Sequence, residues 1–290
     1  MLPAIRVAQV GGLEYLALVT RLLQRAHQMD PTGGLWEAAD FHWWWRRDQH
    51  GDPARQTFWL VGDTPVAAVV LMNWGNHLQC DPIFTPEYRG ALEDVVWATA
   101  LDRLASIGDL PVEFIARDDD PATLERLHAA GFAAVGEVDT TTVLGANDRP
   151  GIPPLPDGFQ LTSRSEMAGV PHWMIRRNGD HIAERLLECS LYRPDLDLAV
   201  LSPSGDVAGY SLFWADPVTR VGLVEPMRVE DRYQSRGIGK HLLAAGLDRL
   251  AACGCTVLNV TYVEGNEPAR RLYLGAGFRP LFQSRNYRRT

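Results

Sequence analysis

The strongest constraint on what this chain can fold into is a repeat at half its length. Residues 58–71 read as strand, tight turn, strand, and residues 196–212 read the same way. Each is followed by another apolar run, then a helical pattern (91–107 and 237–253), then a strand (112–116 and 256–263). Each half then has a short helix closed by Gly-Phe, at Gly131-Phe132 and Gly277-Phe278, where glycine suits a helix C-terminus. Between the halves, residues 146–158 hold four prolines and two glycines in thirteen positions, the composition of a linker. The 290 residues therefore divide into two α/β units in tandem, 1–145 and 159–290, joined by 146–158, each of ordinary domain size.

Charge and composition narrow the function classes. A formal net charge of -8, with Lys and Arg spread along the chain, gives little support to a phosphate-backbone-binding surface, so no nucleic-acid partner is expected. Arg6, Glu14, Arg21 and Arg25 interrupt the start of the chain, and no stretch of about 18 apolar residues occurs elsewhere, so no membrane association is expected. Cys80, Cys189, Cys253 and Cys255 have neither disulfide-framework nor zinc-site spacing. They read as reduced thiols of a cytoplasmic protein that requires no metal.

The chemistry is concentrated in residues 221–243, where a strand leads through a polar turn into an amphipathic helix. Gln234-x-x-Gly237-x-Gly239 lies at the turn. Glycines let a ligand approach the backbone, and the first amides of a helix have no partner within it. Together they form an anion cradle suited to a pyrophosphate, with Arg236 or Lys240 adding charge. The Walker arrangement is lacking, and the pattern comes after several strands, not at the first strand of a dinucleotide-binding unit.

With this loop and a second segment, Asn266-x-x-Ala269-x-x-Leu272-Tyr273-x-x-x-Gly277-Phe278, the chain from about 159 to 289 resembles the GNAT acyltransferase superfamily. The loop matches that family's Arg/Gln-x-x-Gly-x-Gly/Ala motif for the CoA pyrophosphate. The resemblance implies two tandem GNAT-fold domains of mixed α/β class, each a mostly antiparallel mixed sheet flanked by helices. It implies that Gln234, Ser235, Arg236, Gly237, Ile238, Gly239 and Lys240 hold the pyrophosphate of acetyl-CoA or another acyl-CoA. The pantetheine would pair with the strand edge Met227, Arg228 and Val229, and a backbone N–H near Met227 would stabilise the oxyanion.

Glu225 stands where the family often has its general base; its alternative reading is a strand-end carboxylate paired with Arg228 or Arg232. Tyr273 matches the family's general acid, against a reading as a core aromatic. Asn266 suits a helix cap, a pantetheine ligand, or both. The activity implied is transfer of an acyl group, expected to be acetyl, to the primary amine of a small molecule by direct attack in a ternary complex. The rival is an acyl-CoA-binding sensor or scaffold without turnover. A monomer or a homodimer is expected.

The first half departs from this pattern. Aligning Asp81-Pro82 with Glu225-Pro226 and Tyr88 with Tyr233 sets Leu92 and Asp94 where the second half has Gly237 and Gly239. Leu127 then stands for Tyr273 and Asp120 for Asn266, which predicts a degenerate domain without cradle or acid. The run Trp43-Trp44-Trp45 before Arg46 and Arg47 reads as a helix burying one or two tryptophans with another at a domain interface, or as a stacking wall for substrate. His172, Trp173 and Tyr192 fall where the family places its substrate-lining helices.

Overall fold

The computed structural model describes residues 4–47, 56–105, 110–167 and 169–289. Contacts divide the chain into two units. The first comprises residues 1–41, 48–139 and 282–290, the second 42–47 and 140–281.

In chain order the first part of the sequence forms β1 (Ile5–Val10), α1 (Gly12–Met29), α2 (Ala38–Trp44), β2 (Gln56–Val61), β3 (Thr64–Asn73), β4 (Leu78–Phe84), α3 (Pro86–Ala105), β5 (Val112–Arg117), α4 (Pro121–Ala129) and β6 (Phe132–Gly145). Strands β1 to β4 pair antiparallel in sequence order, and β4 is parallel to β5. Residues 284–288 of the last strand pair antiparallel with β5. The core of this unit gathers Trp59, Val69, Leu71, Val96, Trp97, Phe114, Leu127 and Phe132.

The helical pattern read over 91–107 starts earlier than expected, at Pro86. Proline suits a first helical position because its missing N–H would have no partner there, and the carbonyl of Thr85 accepts from the amides of Tyr88 and Arg89 at 3.1 and 3.2 Å. Residues 106 and 107 of that pattern lie outside the described residues.

The second part continues with β7 (Gln160–Ser163), α5 (Ile175–Asn178), α6 (Ile182–Leu187), β8 (Asp197–Leu201), β9 (Val207–Ala215), β10 (Val221–Val229), α7 (Ile238–Ala252), β11 (Val257–Val263), α8 (Glu267–Gly275) and β12 (Arg279–Arg289). Its sheet order is β7-β8-β9-β10-β11, followed by the end of β6. Strands β7 to β10 are antiparallel and β10 is parallel to β11. Helix α7 lies close on this sheet: a Cβ at Gly246 would stand 1.9 Å from Cζ of Phe213 on β9, so only glycine admits the ring against the helix backbone. The proline-rich stretch 146–158 is fastened to the same helix. His241 Nδ1 lies 2.6 Å from the carbonyl oxygen of Pro153, and Arg149 pairs with Asp248 at 2.9 Å.

Candidate active site

The site begins with a strand that leaves its neighbour. β10 pairs with β11 from Val221↔Val257 to Leu223↔Asn259 and no further. On its other side it follows β9 through Val224↔Phe213, breaks register, and resumes at Met227↔Ser211. Glu225 and Pro226, joined by a cis peptide bond, fill the bulge. Proline has no N–H for a ladder, so a bulge is where a strand tolerates it. The freed carbonyls are satisfied from β9: Trp214 Nε1–H donates to the Glu225 oxygen at 2.7 Å, and the Ser211 hydroxyl donates to that of Pro226 at 2.9 Å. Both donors are fully buried. Residues 225–229 are half-buried beyond the point where β11 diverges.

The loop 230–237 follows. Tyr233 anchors it, packing edge-on against Phe159 at 5.8 Å and reaching Asp206 with its hydroxyl at 3.3 Å. Gln234 donates from Nε2 to the Val229 oxygen at 3.3 Å and to Asp231 Oδ1 at 3.2 Å, tying the turn back to the strand. Ser235 and Gly237 have φ of 59° and 81°, the left-handed region, and Gly237 is the N-cap of α7 with no side-chain hydrogen bond to the helix. The first amides of a fifteen-residue helix are thus left without a capping side chain. Ile238 is buried in the core, while Arg236 and Lys240 are exposed on either side of the helix start. Gly239 faces inward, where an added Cβ would stand 3.4 Å from Val229, 3.7 Å from Leu272 and 3.9 Å from Met227.

Helix α8 closes the site. Asn266 caps it, its Oδ1 accepting from the Ala269 amide at 3.2 Å, with Pro268 in the first turn. Tyr273 is buried among Tyr262 and Phe278, with ring centroids at 6.4 and 6.2 Å. Burial pushes its phenol well above the usual range, and the Glu225 carboxylate pushes it further. The alternative reading of Glu225 as a partner of Arg228 or Arg232 is not what the structure has. Arg228 lies against Glu230 and Asp231, at 3.5 and 3.4 Å, and Arg232 pairs with Asp206 at 3.2 Å.

Other aromatic candidates are tied into the interior. His172 Nδ1 accepts from the Met174 amide at 3.1 Å, which makes Nε2 the donor to Asp197 at 2.9 Å. Trp173 Nε1 and the Tyr192 hydroxyl also donate to Asp197, each at 2.9 Å. Asp197 is fully buried with all three donors on it, so these side chains hold the segment before β8. All three tryptophans of 43–45 are buried. Trp45 Nε1 donates to Glu188 at 2.7 Å, and Arg185 and Arg46 cover the rings of Trp45 and Trp43 at 4.1 and 3.6 Å. The reading from sequence missed Ser211, Trp214 and Asp197, whose roles depend on strand pairing.

The first unit lacks the loop. β4 also leaves β5 early, after Leu78↔Val112 and Gln79↔Glu113. Its pairing with β3, however, runs without a break from Ala67↔Phe84 to Asn73↔Leu78, and α3 starts after Thr85 alone. Leu92 and Leu127 are core residues, and Arg89 is drawn to Glu93 and Asp120. Asp81, aligned with Glu225, is buried; it accepts from Trp36 Nε1 at 2.9 Å and from Gln79 Nε2, and burial pushes its carboxyl up to about 7.

Among the described residues, no group of three or more His, Cys, Asp or Glu is placed to hold a metal ion, and no helix is long and apolar enough to cross a membrane.

A splayed parallel pair, a glycine loop at a helix start and a tyrosine-bearing second helix define a GNAT-type fold. Solved structures share that fold over the whole chain. The "Tandem GNAT protein from the clavulanic acid biosynthesis pathway" aligns at 16% identity with a TM-score of 0.69, covering 98% of each chain. A GCN5-related N-acetyltransferase from Sphaerobacter thermophilus aligns at 17% identity with a TM-score of 0.61, covering 98% of this chain and 95% of that one. Residues 168–278, in the second unit, match the profile described as "Acetyltransferase (GNAT) family", so this stretch is a GNAT domain. A curated relative, mycothiol acetyltransferase of Clavibacter michiganensis subsp. michiganensis, is 27% identical over 246 residues, covering 78% of this chain and 77% of the relative.

Proposed function

We propose that this acetyltransferase moves the acetyl group of acetyl-CoA to the primary amine of a small molecule by direct attack in a ternary complex, with the second unit as the working half. The observation that carries this reading is the strand edge that β11 has left, with the start of α7 beside it: a Cβ at Gly239 would stand 3.4 Å from Val229 and 3.9 Å from Met227. The first amides of α7, with Arg236 and Lys240, receive the pyrophosphate, while Gln234 and Ser235 shape the turn. The pantetheine lies along Met227, Arg228 and Val229, where Gly239 leaves room, and reaches toward Asn266.

In the reaction, the acceptor ammonium gives a proton to Glu225, directly or through one water, and its nitrogen attacks the thioester carbon. A backbone N–H near Met227 stabilises the oxyanion. As the C–S bond breaks, the thiolate takes a proton from the Tyr273 hydroxyl, and the second proton lost by the nitrogen as the amide forms restores the phenol. A phenol held above its usual range remains protonated through neutral and alkaline pH, as an acid must. The first unit, with its helix starting at Pro86 and Leu127 in place of the tyrosine, supports the second without binding a CoA.

The relative's name makes the acceptor used by mycothiol acetyltransferases the first to try in an amine panel. Replacing Tyr273 by Phe is expected to lower kcat about 100-fold, the lower end for a general acid, with acetyl-CoA affinity kept within about twofold. Glu225→Gln is expected to do the same through the acceptor's proton. Unchanged turnover in either variant removes the role assigned to that residue. Binding of acetyl-CoA without acetylation of any amine favours a sensor.

A further inference from the structure

Residues 42–47 are remote in sequence from 140–281 yet group with them. His42 is fully buried, its ring 6.2 Å from that of Trp214, the residue whose N–H holds the Glu225 carbonyl. Four positions on, the Arg46 guanidinium stands 3.6 Å from the ring centroid of Trp43. Its Nε donates to Asn178 Oδ1 at 3.0 Å and its Nη1 to the Trp43 oxygen at 2.7 Å. Asn178 ends α5, whose Arg176 and Arg177 pair with Glu230, the residue after β10. Segment 42–46 therefore packs on Trp214 of β9 at one end and on Asn178 of α5 at the other.

A ring contact and two hydrogen bonds fix this guanidinium, yet leave its charge unspent. Among the described residues no carboxylate lies within ion-pair distance of Arg46, and its Nη2 makes no hydrogen bond. Burial lowers its pKa to about 10, against the raising influence of the Glu225 carboxylate. A desolvated, oriented guanidinium is a strong binder of carboxylate, because its planar donors match the two oxygens.

We propose that Arg46 binds a carboxylate of the acceptor, so that the acceptor is a zwitterion: its amine faces Glu225 and its carboxylate faces Arg46, as in a free α-amino acid or a compound ending in one. This rests on the second unit's being an amine acetyltransferase with Glu225 as base. A cation and an anion within electrostatic reach of each other complement the paired charges of such a molecule.

The test is acetylation by the full chain of a panel of free α-amino acids, each against its own α-carboxamide. For the best acceptor, kcat/KM of the acid is expected to exceed that of the amide about tenfold or more, and Arg46→Gln to bring the ratio close to one. Arg46→Lys, which keeps the charge but not the planar donors, is expected to retain part of the preference; it also serves if the glutamine variant does not fold. A merely structural role for Arg46 would lower both rates and leave the ratio standing. Equal rates for acid and amide, or a ratio that survives in Arg46→Gln, would overturn the proposal while leaving the acetyltransferase reading intact. If no amine is acetylated, that reading fails. The proposal is then decided by calorimetry of the same amino acids with the CoA-saturated protein: binding to the wild type that Arg46→Gln abolishes supports it, and no binding overturns it.

Discussion

At the scale of single residues, the two loop glycines do different work. Gly237 sits at φ 81°, a conformation that costs a side-chain-bearing residue about 1–2 kcal/mol, whereas a methyl group at Gly239 would meet Val229 at an ordinary 3.4 Å. Gly237→Ala is accordingly expected to lower stability by about 1 kcal/mol and to weaken acetyl-CoA binding. Gly239→Ala is expected to keep full stability in denaturant unfolding, since alanine favours a helix interior. Equal losses in the two variants would contradict this division. Both glycines and the Asn266 cap were legible in the sequence, because each sits in a short motif whose geometry is local. Arg46 was legible only as a neighbour of three tryptophans. Its place depends on Asn178, 132 residues along the chain, which no local pattern encodes.

Among the elements, β10 sets the geometry of the candidate site. Its bulge keeps Glu225 and Pro226 out of the ladder, and two buried donors on β9 fix the carbonyls so released. Trp214→Phe keeps the aromatic bulk but removes the N–H, leaving the Glu225 oxygen unsatisfied at a cost of about 1–3 kcal/mol. The expected outcome is a lower urea midpoint with unchanged m-value, together with reduced turnover and retained acetyl-CoA affinity. An unchanged midpoint would mean that another group satisfies that oxygen. The strand and the helix after it were legible from apolar periodicity, and the expected 237–253 matches Ile238–Ala252 closely. The bulge was not, since Ser211 and Trp214 read as ordinary strand residues until the register places them opposite Met227 and beside Glu225. Helix α3 starts ahead of the expected 91 because Pro86 serves as its first residue.

On the scale of the whole molecule, the tandem layout was visible as a repeat, and both units carry a parallel pair that parts early. What distinguishes them is the path between strand and helix: residues 230–237 in one, Thr85 alone in the other. The grouping of residues 42–47 with the second unit and of 282–290 with the first lies beyond any reading by halves, because it follows from long-range contacts. One unit of this tandem pair is expected to bind the acyl donor and the other not. Calorimetric titration of acetyl-CoA into the full chain tests it most directly, with a parallel titration of a variant carrying a bulky residue at Gly237. One molecule bound per chain, and none in the variant, is the predicted result. Two per chain, or binding that survives the substitution, would contradict the assignment of the cradle to the second unit.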